Sequence, residues 1–217
     1  MAHFDPHATA PVLYAGAPLN EAKGAVVLLH GRGGSAQDIL TLGPALGRTD
    51  LAYVAPQAAQ HTWYPHSFLA PREDNEPYLT SALQKIAGIV AALEAAGIGR
   101  DRIVIAGFSQ GACLTSEFVA SNPARYAGVI AFTGGLIGPL DADLHHAGDL
   151  HGTPALFLSG DPDPHVPWSR VQATAAEYER MGATVLSRRY PGRQHTITGE
   201  ELDHARRLLQ QAFGEVE

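Results

Sequence analysis

The chain has 217 residues, 45% of them hydrophobic and 17% charged, which excludes a disordered polyelectrolyte and suits one sizeable core. Its formal charge of -7, with 15 scattered lysines and arginines, disfavours nucleic acid or an anionic membrane as the main partner. The single cysteine excludes an internal disulfide and a cysteine-based zinc cluster.

The N-terminal stretch MAHFDPHATAPVLYAGAP has neither a basic start nor a long apolar core, and no apolar run approaches membrane-spanning length. The expectation is a cytoplasmic protein without stable membrane insertion; a homodimer is compatible with the sequence. The first strand-like segment, GAVVLLH (24–30), runs into the glycine-rich HGRGG and a segment that begins a helix. LAYVAP (51–56) reads as a second strand. The stretch 57–77, rich in Pro, His and aromatic residues, is too long for an ordinary connection and is expected to build a binding surface. A helix follows, with Thr80 or Ser81 as its cap, Leu83, Ile86, Ile89, Val90 and Leu93 on one face, and Gly97 as its stop.

RIVIAGF (102–108) is the next strand, and the segment after GFSQG has helical spacing at Ala112, Leu114, Phe118 and Val119. GVIAFTG (128–134) and PALFLSG (154–160) read as buried strands on either side of an irregular stretch, 139–154. A helix is expected from Ser169 to Met181. ATVLSRRY (183–190) alternates more and suits an edge strand, and a last helix from about Glu200 to Phe213 sets Leu202, Ala205, Leu209 and Phe213 on one side. Strands alternating with helices predict a mostly parallel, doubly wound α/β sheet with helices on both faces, in a single domain spanning 1–217. There is no internal repeat and no linker.

Ser109 sits between Gly107 and Gly111 in a strand-to-helix turn, where the glycines let the backbone reverse and the hydroxyl project from the sheet. A serine hydroxyl is a poor nucleophile until a base takes its proton, and that base needs a carboxylate to hold its tautomer. In such a sheet both partners belong on loops after later strands. PALFLSG is followed by DPDPHVP and ATVLSRRY by PGRQHTITGEE, which puts forward His195 as base and Asp163 as acid, with Asp161 as the rival acid in a turn-forming role. Among rival histidines, His165 is too close to Asp163, His204 belongs to the last helix, and His145, His146 and His151 leave open a metal site, though no metal is expected. A developing oxyanion needs preorganised N–H donors: the amide of Gln110, next to the serine, and that of Arg32 in the glycine-rich loop. A phosphate loop is the alternative for HGRGG, which lacks both G-x-G-x-x-G and the P-loop lysine.

The segments LLHGRGGS, APQ, TWYP, AGFSQGA, LSGDPDPHVP and YPGRQHTI together resemble the carboxylesterase/phospholipase family of α/β-hydrolases, the group that includes acyl-protein thioesterases, over nearly the whole chain. The resemblance implies a compact α/β-hydrolase fold without a large cap domain and no cofactor. It also implies nucleophile Ser109, acid Asp163, base His195 and backbone donors at Arg32 and Gln110. Arg32 stands where the thioesterase branch often has an apolar residue.

Trp63, Tyr64, Phe68 and Leu69, with Trp168 and Ile197, would form an apolar wall for an acyl chain or aromatic alcohol if they converge; core or lid packing is the alternative for each. The Arg32 side chain suits an anionic substrate group or simple solvation. The function expected is a serine carboxylesterase acting on small to medium esters through an acyl-enzyme. The alternatives are an acyl thioesterase or lysophospholipase-type hydrolase with the same triad, and a non-catalytic ligand-binding protein on the same fold. A cysteine nucleophile is disfavoured because Cys113 lies inside the helix that follows Ser109.

Overall fold

A computed structural model describes residues 5–215. Its seven strands form one sheet: β1 (Val12–Gly16), β2 (Gly24–Leu29), β3 (Leu51–Pro56), β4 (Ile103–Phe108), β5 (Gly128–Phe132), β6 (Pro154–Asp161) and β7 (Thr184–Pro191), in the spatial order β1-β3-β2-β4-β5-β6-β7. All are parallel except β1, which pairs antiparallel with β3.

The strands read as unbroken apolar runs because both faces of the sheet are covered. Val27, Leu29, Ile105 and Phe157 pack on one face with helices α3 (Tyr78–Ala95), α4 (Gln110–Ser121) and α5 (Trp168–Arg180). Val26, Leu28, Val104 and Leu158 alternate onto the other, under α1 (Ala36–Leu40), α2 (Leu42–Leu46) and α6 (Gly199–Phe213). After β2 the chain adds β3 on one side, then returns to place β4 on the other. The loops leaving the carboxyl ends of β2 and β4 therefore diverge and open a crevice between them.

Two local features differ from the sequence expectation. β1 was not anticipated: it is five residues long and half exposed, with Tyr14 facing solvent, so it carries too little apolar pattern to register. Helix α3 starts at Tyr78, ahead of Thr80 and Ser81. Its cap oxygen comes from Glu76, whose carboxylate accepts the Thr80 N–H at 3.0 Å, so neither hydroxyl is needed there. Its other end is as expected: Gly97 takes φ 90° and the Ile98 N–H closes back on Leu93 O at 2.9 Å. β7 lies at the sheet edge and is only half buried. Among the described residues no helix is long and apolar enough to cross a membrane.

Candidate active site

The strand-to-helix turn after β4 is shaped by close backbone approach. A Cβ on Gly107 would lie 2.4 Å from the Gly111 carbonyl carbon, and one on Gly111 would lie 2.1 Å from Leu29 O, so only glycine fits at either position. Between them Ser109 takes φ 55° and ψ -118°, a conformation that costs a non-glycine residue on the order of 1–3 kcal/mol and must be imposed by its surroundings. Here β4 and α4 impose it from either side, and the Ser109 N–H is tied to Phe132 O at 2.9 Å. The hydroxyl is thereby held at the crevice.

His195, in the loop between β7 and α6, places Nε2 2.8 Å from Ser109 Oγ and Nδ1 2.8 Å from Asp163 Oδ2. A carboxylate only accepts, so Nδ1 carries the proton and Nε2 is free to accept from serine. Asp163 lies in the loop after β6 with its side chain out of solvent, and its Oδ1 accepts the amides of His165 and Val166, each at 2.9 Å. Burial pushes its carboxyl up, but the hydrogen bonds from His195 and these two amides outweigh burial and hold it below the ordinary carboxylate value.

Asp161 is elsewhere. It pairs with Arg189 of the edge strand, and its carbonyl accepts the Gly192 N–H. The His165 ring meets the His195 ring edge-on, 5.0 Å between centroids, while His204 lies in α6 beside Arg207. His146 contacts Glu117 and His151 contacts Asp149, and no group of three candidate ligands that could hold a metal occurs among the described residues.

The loop after β2 is fixed by His30. Burial lowers its pKa, keeping it neutral; Nε2 accepts the Ala58 N–H at 3.1 Å, and Nδ1–H donates to Gly31 O at 2.7 Å. Gly31 O also accepts the Gly34 N–H. Because a trans peptide directs C=O and N–H oppositely, pinning the Gly31 carbonyl orients the Arg32 N–H. Arg32 and Gln110 both line the crevice that holds Ser109.

That crevice is a cavity of about 700 Å³ reached by Ser109, Asp163 and His195 and walled in part by Tyr64, Phe68 and Leu69. The Gln110 side chain accepts from Trp63 N–H at 2.9 Å and donates to Tyr64 O at 2.8 Å, clamping the wall to α4. The Arg32 guanidinium donates to the carbonyls of Pro65 (2.8 Å) and His66 (2.6 Å), tying the same wall to the β2 loop.

The other three expected wall residues do not line the cavity. Trp63 is fully buried against His7 and His30, with its indole N–H on His30 O, so it supports the wall from behind. Trp168 opens α5 and packs on the larger core, and Ile197 packs on the α6 side of the sheet. Cys113 does border the cavity, but burial pushes its thiol up to about 12, so it carries no thiolate at neutral pH.

Sequence reading did not single out His30, Arg193, Glu201 or the side-chain role of Gln110. Only Glu201 had a readable signal, the Thr198-x-x-Glu201 capping pattern, and the box is formed at the start of α6.

Residues 15–213 match the phospholipase/carboxylesterase family. The chain belongs to this family. Among solved structures of similar form, a phospholipase/carboxylesterase from Dyadobacter fermentans superposes with a TM-score of 0.90 at 48% identity, covering 93% of this chain and 97% of that one. Among phospholipase/carboxylesterase relatives, a probable carboxylesterase SOBER1-like from Arabidopsis thaliana is 30% identical over 139 residues, 63% of this chain and 52% of that protein. An acyl-protein thioesterase 1 from Gibberella zeae is 30% identical over 115 residues, 52% of this chain and 49% of that protein. The chain thus spans about half the length of these curated relatives. The family match and the Dyadobacter fermentans structure place it among α/β-hydrolases of the phospholipase/carboxylesterase type.

Proposed function

We propose that the protein is a serine carboxylesterase that cleaves small to medium carboxylic esters through an acyl-enzyme. The observation that carries this reading is the continuous relay of two 2.8 Å contacts, Ser109 Oγ to His195 Nε2 and His195 Nδ1 to Asp163 Oδ2, opening into a cavity with an apolar wall.

Ser109 Oγ attacks the ester carbonyl as its proton passes to His195 Nε2, and the imidazolium is stabilised by Asp163. The oxyanion is met by the amides of Arg32 and Gln110. The tetrahedral adduct expels the alkoxide, which leaves as alcohol with the proton from His195. Water then enters, gives its proton to His195 and attacks the acyl carbonyl; the second tetrahedral adduct breaks its bond to Ser109 Oγ, which takes the proton back from His195, and the acid departs. Tyr64, Phe68 and Leu69 offer the apolar contact for the organic part of the ester.

A fluorophosphonate should label Ser109 in the native enzyme, and Ser109→Ala should lose the label and roughly 10⁴ in kcat. An adduct mapped to another residue, or ester turnover retained in Ser109→Ala, overturns the assignment. Similarity to the Gibberella zeae protein keeps a thioesterase as the second reading, with the same residues in the same roles. A higher kcat/KM for acyl thioesters than for matched oxygen esters would decide for it.

A further inference from the structure

His195 stands on a loop with little regular backbone bonding of its own, yet its two contacts with Ser109 and Asp163 require its ring to be placed within a few tenths of an ångström. The loop is organised by the side chain two residues earlier. Arg193 Nη1 donates to Gln194 O at 2.9 Å and to Thr196 O, the two carbonyls on either side of His195. Its Nη2 donates to Thr133 Oγ1 at 2.7 Å and to Glu201 Oε1 at 3.0 Å. The four Nη hydrogens thus have one acceptor each, a match that a planar guanidinium fork makes and an ammonium does not.

Both anchors at the far side are firm. Thr133, just past β5, takes φ 58°, and its N–H is tied to Leu158 O at 2.7 Å, so it belongs to the sheet rather than to the loop. Glu201 in α6 is fully buried, and its second oxygen accepts Thr198 N–H at 2.9 Å and Thr198 O–H at 3.0 Å. Gly160, at the end of β6, leaves room for the clamp, since a Cβ there would come within 2.5 Å of Arg193 O. The Arg193 side chain is 8% exposed and points away from solvent, and the residue does not line the cavity.

We propose that Arg193, held by Glu201 and Thr133, is the positioning residue of the base: it grips the carbonyls flanking His195 and fixes the imidazole between Asp163 and Ser109. This rests on His195 acting as the base. A buried ion pair of merely structural purpose makes a different prediction. Breaking it leaves an unpaired charge and weakens the fold, whereas replacing both partners with apolar groups restores it. The clamp on the two carbonyls is lost in either case.

The test uses Arg193→Lys and the double variant Arg193→Met/Glu201→Leu, with p-nitrophenyl butyrate as substrate. Both variants should lower kcat by about 10²-fold and leave KM within about threefold, as a misplaced base does. Both should also lose or broaden the downfield proton resonance of the His195–Asp163 hydrogen bond. Wild-type kcat in the double variant, or in Arg193→Lys, overturns the proposal. If instead the native enzyme is not labelled at Ser109 by fluorophosphonate, or His195→Ala retains turnover, the reading beneath it falls and the proposal with it. Native labelling with unaffected Arg193 variants sinks the proposal alone.

Discussion

Ser109 and His195, the proposed nucleophile and base, sit 2.8 Å apart but are held by opposite means. Ser109 is fixed by backbone: two glycines pressed against neighbouring main chain, a strained φ, and a strand and a helix that leave the turn no freedom. His195 is fixed by side chains, through Asp163 on one side and the Arg193 network on the other. A backbone-held group tolerates no added atom nearby and is indifferent to charge. A side-chain-held group tolerates local change but depends on distant polar residues being present and correctly ionised.

The largest effect should come from Asp163→Asn. Because Oδ1 already accepts two backbone amides, the new oxygen will stay there and the amide nitrogen will face His195, forcing the ring proton onto Nε2. That tautomer cannot accept from serine, so kcat should fall by roughly 10⁴. Asp161→Asn disturbs only a half-exposed pair with Arg189 and should change kcat by less than about fivefold. Steady-state kinetics of the two variants check this, and equal losses would mean that Asp163 does not orient the base.

Next in size is Gly111→Ala, whose methyl group would meet Leu29 O at 2.1 Å with no flexible neighbour to give way. Thermal and urea unfolding should show a loss of about 1–3 kcal/mol or more, with activity reduced as the turn shifts. Wild-type stability and turnover would remove the claim that backbone contact sets the nucleophile.

The smallest effect concerns pH. His7 is buried and neutral, accepting Ala59 N–H at Nδ1 and donating to Trp63 O at Nε2; burial lowers its pKa, as it does for His30. Unfolded, both take up protons near the ordinary value of about 6.5, so stability should fall as the pH drops below that point. His146 has the opposite sign: its hydrogen bond to Glu117 raises its pKa, so its contribution is present below about 6.5 and is lost as the pH rises through the raised value. Replacing His7 with Gln, which keeps a donor and an acceptor but does not titrate, should flatten the slope of Tm between pH 6.5 and 5 by a few degrees, about 2–4 °C for each kcal/mol. An unchanged slope would show that His7 does not link folding of this region to protons.

The same contrast governs what the sequence could reveal. GFSQG is readable because tight main-chain contact demands glycine at fixed spacing, and the buried strands are readable because coverage on both faces demands unbroken apolar runs. Arg193 was not readable, since its acceptors are the two carbonyls flanking His195, a hydroxyl 60 residues earlier and a carboxylate in the next helix. The aromatic loop was readable in kind but not residue by residue. Trp63, Tyr64 and Phe68 all pack in the core, yet only Tyr64 and Phe68 of these three also border the cavity beside Leu69, a distinction set by which way each side chain leaves an irregular backbone.

The guanidinium of Arg32 spans from the loop carrying one amide of the crevice to the carbonyls of Pro65 and His66 in the cavity wall. Under the proposed mechanism, breadth of substrate and speed of reaction are therefore coupled through this one side chain. A variant selected for a wider wall will also retune the amide beside it, and a search for new substrates will do better to vary Arg32 together with residues 64–69 than to vary the wall alone.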